Sequence, residues 1–330
     1  MEIKQNVLLA NFTTFRIGGP ADYFVEVLSQ DELIEAITWA KENSQKYIVL
    51  GGGSNILVSD EGFRGLVILN NISGYEVLEG RTKSVDSEKS EARFTQVNGN
   101  VNLKDLVYDE SSLPRVSVKI QSGSDLGVVI NELLGKGITG LHWFVGIPGT
   151  IGGAVFNNIH CGDFLFSQFI ESVEVLDENL NKVIIPADEC DFGYDQSRFQ
   201  KSKEIILSVN FKLYKGDVNK AREFMQKWMV YRVGRYPLPS AGCVFKNIDK
   251  ETQQKLGIPT PSMGYVIDKM LGLKGKKIGG AKISEKHSAF IVNDGGAKAQ
   301  DVMNLINLVK SEARKRYNFE PELEIFIVSE

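Results

Sequence analysis

Two glycine-rich segments offer the clearest chemistry in the sequence. Gly51-Gly52-Gly53-Ser54-Asn55 follows directly on the short apolar run Lys46 to Leu50. Consecutive glycines reach positive φ and let backbone N–H groups converge on an anion. Ser54 and Asn55 add side-chain hydrogen-bonding groups. No Gly-Lys-Ser/Thr follows and the spacing is not G-x-G-x-x-G, so neither a Walker loop nor a dinucleotide fingerprint is present. Phosphate cradling is the chemistry this loop suits; a tight turn between strands would use the same glycines. The second segment, Ile147-Pro148-Gly149-Thr150-Ile151-Gly152-Gly153-Ala154, offers donors without bulk and so a close approach of backbone to ligand. Glycine packing between helix and sheet would explain it equally. Two such loops, far apart in the chain, suit one large ligand gripped from both sides, as a dinucleotide would be.

Other reactive residue types are sparse. The cysteines Cys161, Cys190 and Cys243 are odd in number and form no C-x-x-C pair, which fits reduced thiols better than a disulfide framework or a zinc site. Histidine occurs only at 142, 160 and 287 with no ligand spacing, so no metal is expected. Glu320, Glu322 and Glu324 alternate along a terminal apolar run and can share one face of a strand. The chain of 330 residues carries 38 basic and 42 acidic side chains, a formal charge of −4, without a basic block; nucleic acid is not an expected partner. With 42% hydrophobic and 24% charged residues it reads as a globular protein. No apolar run is long enough for a membrane span and the N-terminus lacks secretory features, so a cytoplasmic location is expected.

The elements that must carry these loops follow from periodicity. Pro20 to Val27 reads as a strand. Ser29 and Glu32 form an S-x-x-E start for a helix with Leu33, Ile34, Ile37 and Ala40 on one face. Lys46 to Leu50 and Leu66 to Asn70 are strands flanking the first glycine loop. Residues 80–92 show neither apolar period and read as an exposed hairpin loop or insertion. A strand over Val116 to Ser122, a helix from Asp125 ending near Gly135 or Gly137, and strands at Glu171–Asp177, Lys182–Pro186 and Glu204–Tyr214 follow. Asp217 caps a helix whose Val218, Ala221, Met225 and Trp228 share a face. The last clear helix, from Ala299 to Tyr317, buries Val302, Leu305, Ile306 and Val309. The segment YPLPSAG breaks regular structure. These readings predict an α+β protein of three parts, 1–70, 71–215 and 216–330.

Taken together, Phe15-Arg16-Ile17-Gly18-Gly19-Pro20-Ala21, the 51–55 loop with the ILVSDEGFRG after it, and GIPGTIGGAV resemble the FAD-binding half of the UDP-N-acetylenolpyruvoylglucosamine reductase family. Ser240 to Asn247, Leu273-Lys274-Gly275, Gly279-Gly280-Ala281, Ser284 to His287, Phe290 to Asn293 and Glu320-Pro321-Glu322 resemble its substrate domain, in order. The resemblance implies a two-subdomain fold of the vanillyl-alcohol-oxidase (PCMH) type over 1–70 and 71–215, with a smaller substrate-binding domain over 216–330. The absence of a tyrosine-bearing insertion around 200–235 resembles the shorter, type II branch. It further implies non-covalent FAD, NADPH as reductant, a nucleotide-sugar substrate and a monomer. The reaction implied reduces an enolpyruvyl C=C in peptidoglycan precursor synthesis, so the site must donate a proton, compensate a carboxylate and hold a diphosphate.

The resemblance assigns candidates by position. Cofactor contacts fall on Arg16, Gly51, Gly52, Gly53, Ser54, Asn55, Pro148, Gly149, Thr150, Ile151, Gly152 and Gly153. Cys243 stands where the family usually has a proton-donating Ser; a thiol, with a reference pKa of about 8.5, is the stronger acid. Glu322 matches the catalytic carboxyl, and Arg235, Lys246, Asn247 and His287 are candidates for holding substrate. Two departures stand out. The loop after Asn157 reads Ile159-His160-Cys161-Gly162 where the family usually has G-A-Y-G. Gly193-Tyr194-Asp195 has Asp where the family usually has the Arg that lies near flavin and substrate carboxylate. Arg198 is then the expected cation, with Asp195 turned away or paired to a base. These departures also leave room for a related flavin oxidoreductase with another substrate, or a flavin-binding paralogue without turnover.

Overall fold

The computed structural model describes residues 1–78, 110, 112–162 and 164–329; the polar segment 80–92 lies outside the described residues. Helices and largely antiparallel sheets make it an α+β protein. It forms two compact units whose segments interleave, one built on 26–38 and 69–232, the other on 2–25, 39–68 and 233–330. Within the second unit a long-range pairing that no local signal announces joins distant segments. Phe326–Val328 closes as a parallel strand on Ile56–Val58, tying the C-terminus to the segment after the first glycine loop.

In the first unit a sheet runs in the order Lys182–Pro186, Ile170–Leu176, Ile205–Lys215, Arg115–Gln121, Tyr75–Leu78, with antiparallel pairing throughout. The central strand shows why it forms. Leu207, Val209, Phe211 and Leu213, two residues apart, are all fully buried. The helix Leu126–Gly135 is started by Asp125, whose carboxylate accepts from the Val128 N–H at 2.8 Å. Its Val129, Ile130 and Leu133 join the same apolar cluster as the sheet, together with Trp143 and Phe224. Trp143 stacks on Phe164 at 4.4 Å and meets Phe224 edge-on at 4.7 Å.

His142 sits inside this aromatic cluster. Its Nδ1 accepts from the Gly140 N–H at 3.1 Å, and burial pushes its pKa down to about 3. The unfolded chain would bind a proton there near 6.5, so the native state loses stability as pH falls from 6.5 toward 3, by about 1.4 kcal/mol per pH unit in that window. His142→Asn keeps an acceptor and removes the titration. Melting temperatures of wild type and variant should run parallel above pH 7, with the wild type falling more steeply below 6.5. Equal slopes down to pH 4 would contradict the buried neutral imidazole.

In the second unit a sheet runs in the order Lys4–Leu8, Pro20–Val27, Phe63–Asn70, Tyr47–Leu50. A three-stranded sheet follows from Lys277–Ile278, Ala281–Ile283 and Ile291–Asn293. The helix Ala299–Tyr317 buries Val302, Leu305, Ile306 and Val309 at helical spacing. The Asp60 carboxylate accepts from the Ala299 and Gln300 N–H groups at 2.8 and 3.0 Å, satisfying donors that the helix start cannot satisfy itself. Phe15, Ile17 and Leu57 share one apolar cluster with Phe245, Val266 and Leu305. Residues from both ends of the chain therefore depend on a single core.

Candidate active site

The first glycine loop leaves the strand Tyr47–Leu50 and turns at Gly53, where φ is +58°. A Cβ at 53 would lie 1.9 Å from the Phe12 carbonyl oxygen, so only glycine fits. The Gly53 carbonyl accepts from the Thr14 N–H at 3.1 Å. That contact brings the 14–16 segment beside the loop, and Arg16 stands exposed there with φ +55°. A cation next to a glycine turn is a donor set that suits a diphosphate.

The same unit draws together segments distant in sequence. The Asn55 amide donates to the Glu324 carbonyl at 3.2 Å, and the Phe326 N–H donates to the Asn55 carbonyl at 3.0 Å. The Lys246 N–H donates to the Glu322 carbonyl at 3.0 Å, the Glu324 N–H to the Val244 carbonyl at 2.9 Å, and Phe245 pairs with Leu323. This register sets Lys246 across from Glu322. On its other side the 243–245 segment pairs through Cys243 with Phe290, and the Val244 N–H donates to the Ala289 carbonyl at 2.9 Å. The backbones bearing Asn55, Cys243, Lys246 and Glu322 thus form one hydrogen-bonded platform. Cys243 is half-buried and Glu322 exposed. Glu320 is held apart by an ion pair with Arg314.

His287 lies against Phe290 and Tyr236, with centroids at 5.0 and 6.0 Å. Burial first, and then the neighbouring Arg235 charge, hold its pKa below the usual imidazole value. Its Nδ1 accepts from the Ala289 N–H at 3.3 Å, which puts the proton of the neutral ring on Nε2. His287 is therefore equipped as a neutral donor, with the Arg235 charge acting on it. The Asn247 carbonyl oxygen accepts from the Met263 N–H at 3.3 Å, so part of this side chain serves a helix start.

In the other unit Thr150 caps the short helix Ile151–Asn157, its hydroxyl accepting from Gly153 N–H at 3.4 Å. The Ile151 and Gly152 N–H groups donate to the Ser124 and Ser122 carbonyls at 2.9 and 2.7 Å, and the Leu126 N–H to the Gly149 carbonyl at 3.0 Å. A Cβ at Gly152 would come within 2.9 Å of the Ser122 Cβ. These donors are occupied within the chain. What the segment offers a ligand is closeness of backbone rather than a ring of available N–H groups.

The Arg198 guanidinium, the cation expected near the cofactor, is engaged within the chain. Its Nε and Nη2 make a two-point pair with Glu204 at 3.0 and 2.9 Å, and its Nη1 donates to the Glu189 carbonyl at 3.0 Å. The physical reason is proximity around a short turn, where the fork of a guanidinium matches a carboxylate six residues on. Asp195 is buried and faces His160, with Nδ1 to Oδ1 at 3.0 Å. This contact joins the two departures noted at 159–162 and 195. Both were visible in the sequence as odd residues, but their meeting was not.

The remaining candidates for chemistry are quiet. Burial pushes the Cys161 and Cys190 thiols up to about 12, which keeps them protonated and unreactive. Among the described residues no group of three or more His, Cys, Asp or Glu side chains could hold a metal, and no helix is long and apolar enough to cross a membrane.

Known proteins resemble the chain along its length. Residues 234–328 match the family described as UDP-N-acetylenolpyruvoylglucosamine reductase, C-terminal domain. The UDP-N-acetylenolpyruvoylglucosamine reductase of Chlamydia felis is 35% identical over 98% of this chain and 94% of its own length. That of Clostridium novyi is 35% identical over 100% of this chain and 93% of its own. The crystal structure of UDP-N-acetylenolpyruvylglucosamine reductase from Thermus caldophilus aligns over 100% of both chains with a TM-score of 0.72 at 29% identity.

Proposed function

The chain belongs to the UDP-N-acetylenolpyruvoylglucosamine reductase family, and we propose that it uses non-covalent FAD and NADPH to reduce the enolpyruvyl group of UDP-N-acetylglucosamine enolpyruvate, giving UDP-N-acetylmuramate for peptidoglycan precursor synthesis, as a cytoplasmic monomer. The observation that carries the reading is the platform joining the glycine loop, Cys243, Lys246 and Glu322 through backbone hydrogen bonds.

The residues present fit FAD, because the Gly53 turn admits no side chain and Arg16 lies exposed beside it. Arg16 and Gly51 to Asn55 would hold the diphosphate, and Pro148 to Gly153 would bring backbone close to the cofactor. When bound, FAD supplies the two-electron relay from NADPH to the enolpyruvyl double bond. Cys243 holds a proton at Sγ for the carbon next to the carboxylate. Glu322 is the carboxyl beside that centre. Arg235 and Lys246 bind the diphosphate of the nucleotide as cations, while His287 donates through Nε2–H and Asn247 through its amide.

Purified protein should be yellow and release intact FAD on denaturation, since no histidine precedes residue 142 to form an N-terminal covalent link. It should oxidise NADPH in proportion to added enolpyruvyl nucleotide. Flavin that stays with the denatured chain, or NADPH oxidation indifferent to that nucleotide, would sink the reading.

A further inference from the structure

Arg16 carries a backbone conformation that its side chain does not favour. Its φ is +55°, in the left-handed region where a long side chain is uncommon. Such a conformation persists only where the surroundings over-determine it, and positions of this kind cluster where a side chain is put to use. The turn itself supplies part of the restraint. Phe15 and Ile17, on either side of the exposed Arg16, are buried in the core of their unit. The Thr13 hydroxyl donates to the Ile17 carbonyl at 3.2 Å, and the Arg16 N–H donates to the Thr13 carbonyl at 3.1 Å.

Asn293 supplies the rest from a distant part of the same unit. It ends the strand Ile291–Asn293, and its Nδ2 donates to the Phe15 and Arg16 carbonyls, each at 3.3 Å. Its Oδ1 accepts from the Gly295 and Ala297 N–H groups at 3.2 and 3.1 Å. Both amide protons and both oxygen lone pairs are thus used. The oxygen serves a local turn, a task that Asp or Ser performs as well. The nitrogen serves nothing local. It holds two successive carbonyls around the strained residue, which Asp, having no proton to give, cannot do. The neighbouring backbone is tied in as well. The Asn293 N–H donates to the Pro239 carbonyl at 3.0 Å, and the Thr14 hydroxyl donates to the Ser240 carbonyl at 2.8 Å.

We propose that Asn293 is a positioning residue for the cofactor, acting through Arg16. By holding the Phe15 and Arg16 carbonyls it fixes the left-handed turn and so keeps the guanidinium beside the Gly53 loop, where it meets the diphosphate of FAD. The link to that loop is the bond from the Thr14 N–H to the Gly53 carbonyl, within the same unit. Without the amide the two carbonyls are released, the turn relaxes toward negative φ and the guanidinium is no longer held at the loop. The proposal rests on the FAD reading and deepens it.

The test reads FAD affinity rather than turnover. The FAD-loaded full chain is diluted serially and flavin release is followed by fluorescence, for wild type, Asn293→Ser, Arg16→Met and the double variant. Serine keeps an acceptor for the local turn but falls short of the Phe15 and Arg16 carbonyls. Arg16→Met should weaken FAD by about 10–100-fold, the range for a lost charged donor. Asn293→Ser should weaken it by about tenfold alone and by less than about twofold in the Arg16→Met background, because both changes remove one interaction. The FAD dissociation constant should also depend less on salt in Asn293→Ser than in wild type, since a released guanidinium contributes less charge at the site. Asn293→Asp, isosteric and still an acceptor for Gly295 and Ala297, should weaken FAD too. An equal loss from Asn293→Ser in both backgrounds would mean that Asn293 shapes the pocket independently of Arg16, and would overturn the proposal. Wild-type affinity in Asn293→Ser, Asn293→Asp or Arg16→Met would overturn it as well, and each of these results leaves the FAD reading standing. Wild-type chain that takes up no FAD removes that reading and the proposal with it.

Discussion

Cys243→Ala should leave bleaching of the flavin by NADPH unchanged and slow the recovery by the enolpyruvyl nucleotide by roughly 10²–10⁴-fold, the typical cost of a missing general acid. The position is the reason. Cys243 is half-buried on a segment pinned on one side by Phe290 and Ala289 and, through Val244 to Lys246, by Glu322 to Glu324 on the other. A side chain on so fixed a backbone is held in place before substrate arrives. Cys161 and Cys190 give the contrast, since burial removes them from proton chemistry at ordinary pH. Cys243→Ser should recover a large part of the lost rate, because a hydroxyl of similar size can still donate, although it is the weaker acid. An alanine variant that recovers at the wild-type rate would place the proton donor elsewhere.

Gly53→Ala should abolish tight FAD binding. Two penalties act at this residue. A left-handed backbone costs a non-glycine residue about 1–2 kcal/mol, and the new methyl would collide with the Phe12 carbonyl oxygen at 1.9 Å. The second is the larger, because the obstacle is backbone and must move with the Thr14–Arg16 segment hydrogen-bonded to the loop. Gly257→Ala separates the two. Gly257 has φ +63°, and a Cβ there would meet nothing within 4 Å, so its alanine variant carries the strain without the collision. Flavin retained per chain after gel filtration should fall sharply for Gly53→Ala and stay at the wild-type value for Gly257→Ala. Equal retention in both would mean that the shape of the glycine turn is not what holds the cofactor.

Local periodicity was legible where one face of an element carries all the burial. Val302, Leu305, Ile306 and Val309 read directly as a buried stripe and are buried. The Val218–Arg235 helix was harder. Its buried residues are Ala221, Phe224 and Trp228, whereas Met225 is half-buried, because Phe224 is drawn to the Trp143 ring. The strand Lys4–Leu8 gave no signal, since its residues are mostly exposed and it is held by pairing with Pro20–Val27 rather than by an apolar face. The parallel pairing of Phe326–Val328 with Ile56–Val58 was illegible for a different reason. Nothing local specifies a partner so distant, and only the fold brings it near.

The candidate site divides in the same way. Motif spacing located the glycine loops, Cys243 and Glu322 as residues worth watching, but not the hydrogen bonds that gather their backbones. It also flagged Asp195 and the 159–162 loop as odd without revealing that the imidazole of one answers the carboxylate of the other. Charge alone did not tell which carboxylate the Arg198 guanidinium would meet, and Glu204 lies within reach around a short turn.

The most direct test of the central claim is an anaerobic titration followed at the flavin absorbance band, with NADPH added first and the enolpyruvyl nucleotide second. One equivalent of NADPH per bound FAD should bleach the band, and one equivalent of nucleotide should restore it while UDP-N-acetylmuramate appears in equal amount. A band that NADPH bleaches but the nucleotide leaves bleached would contradict the account.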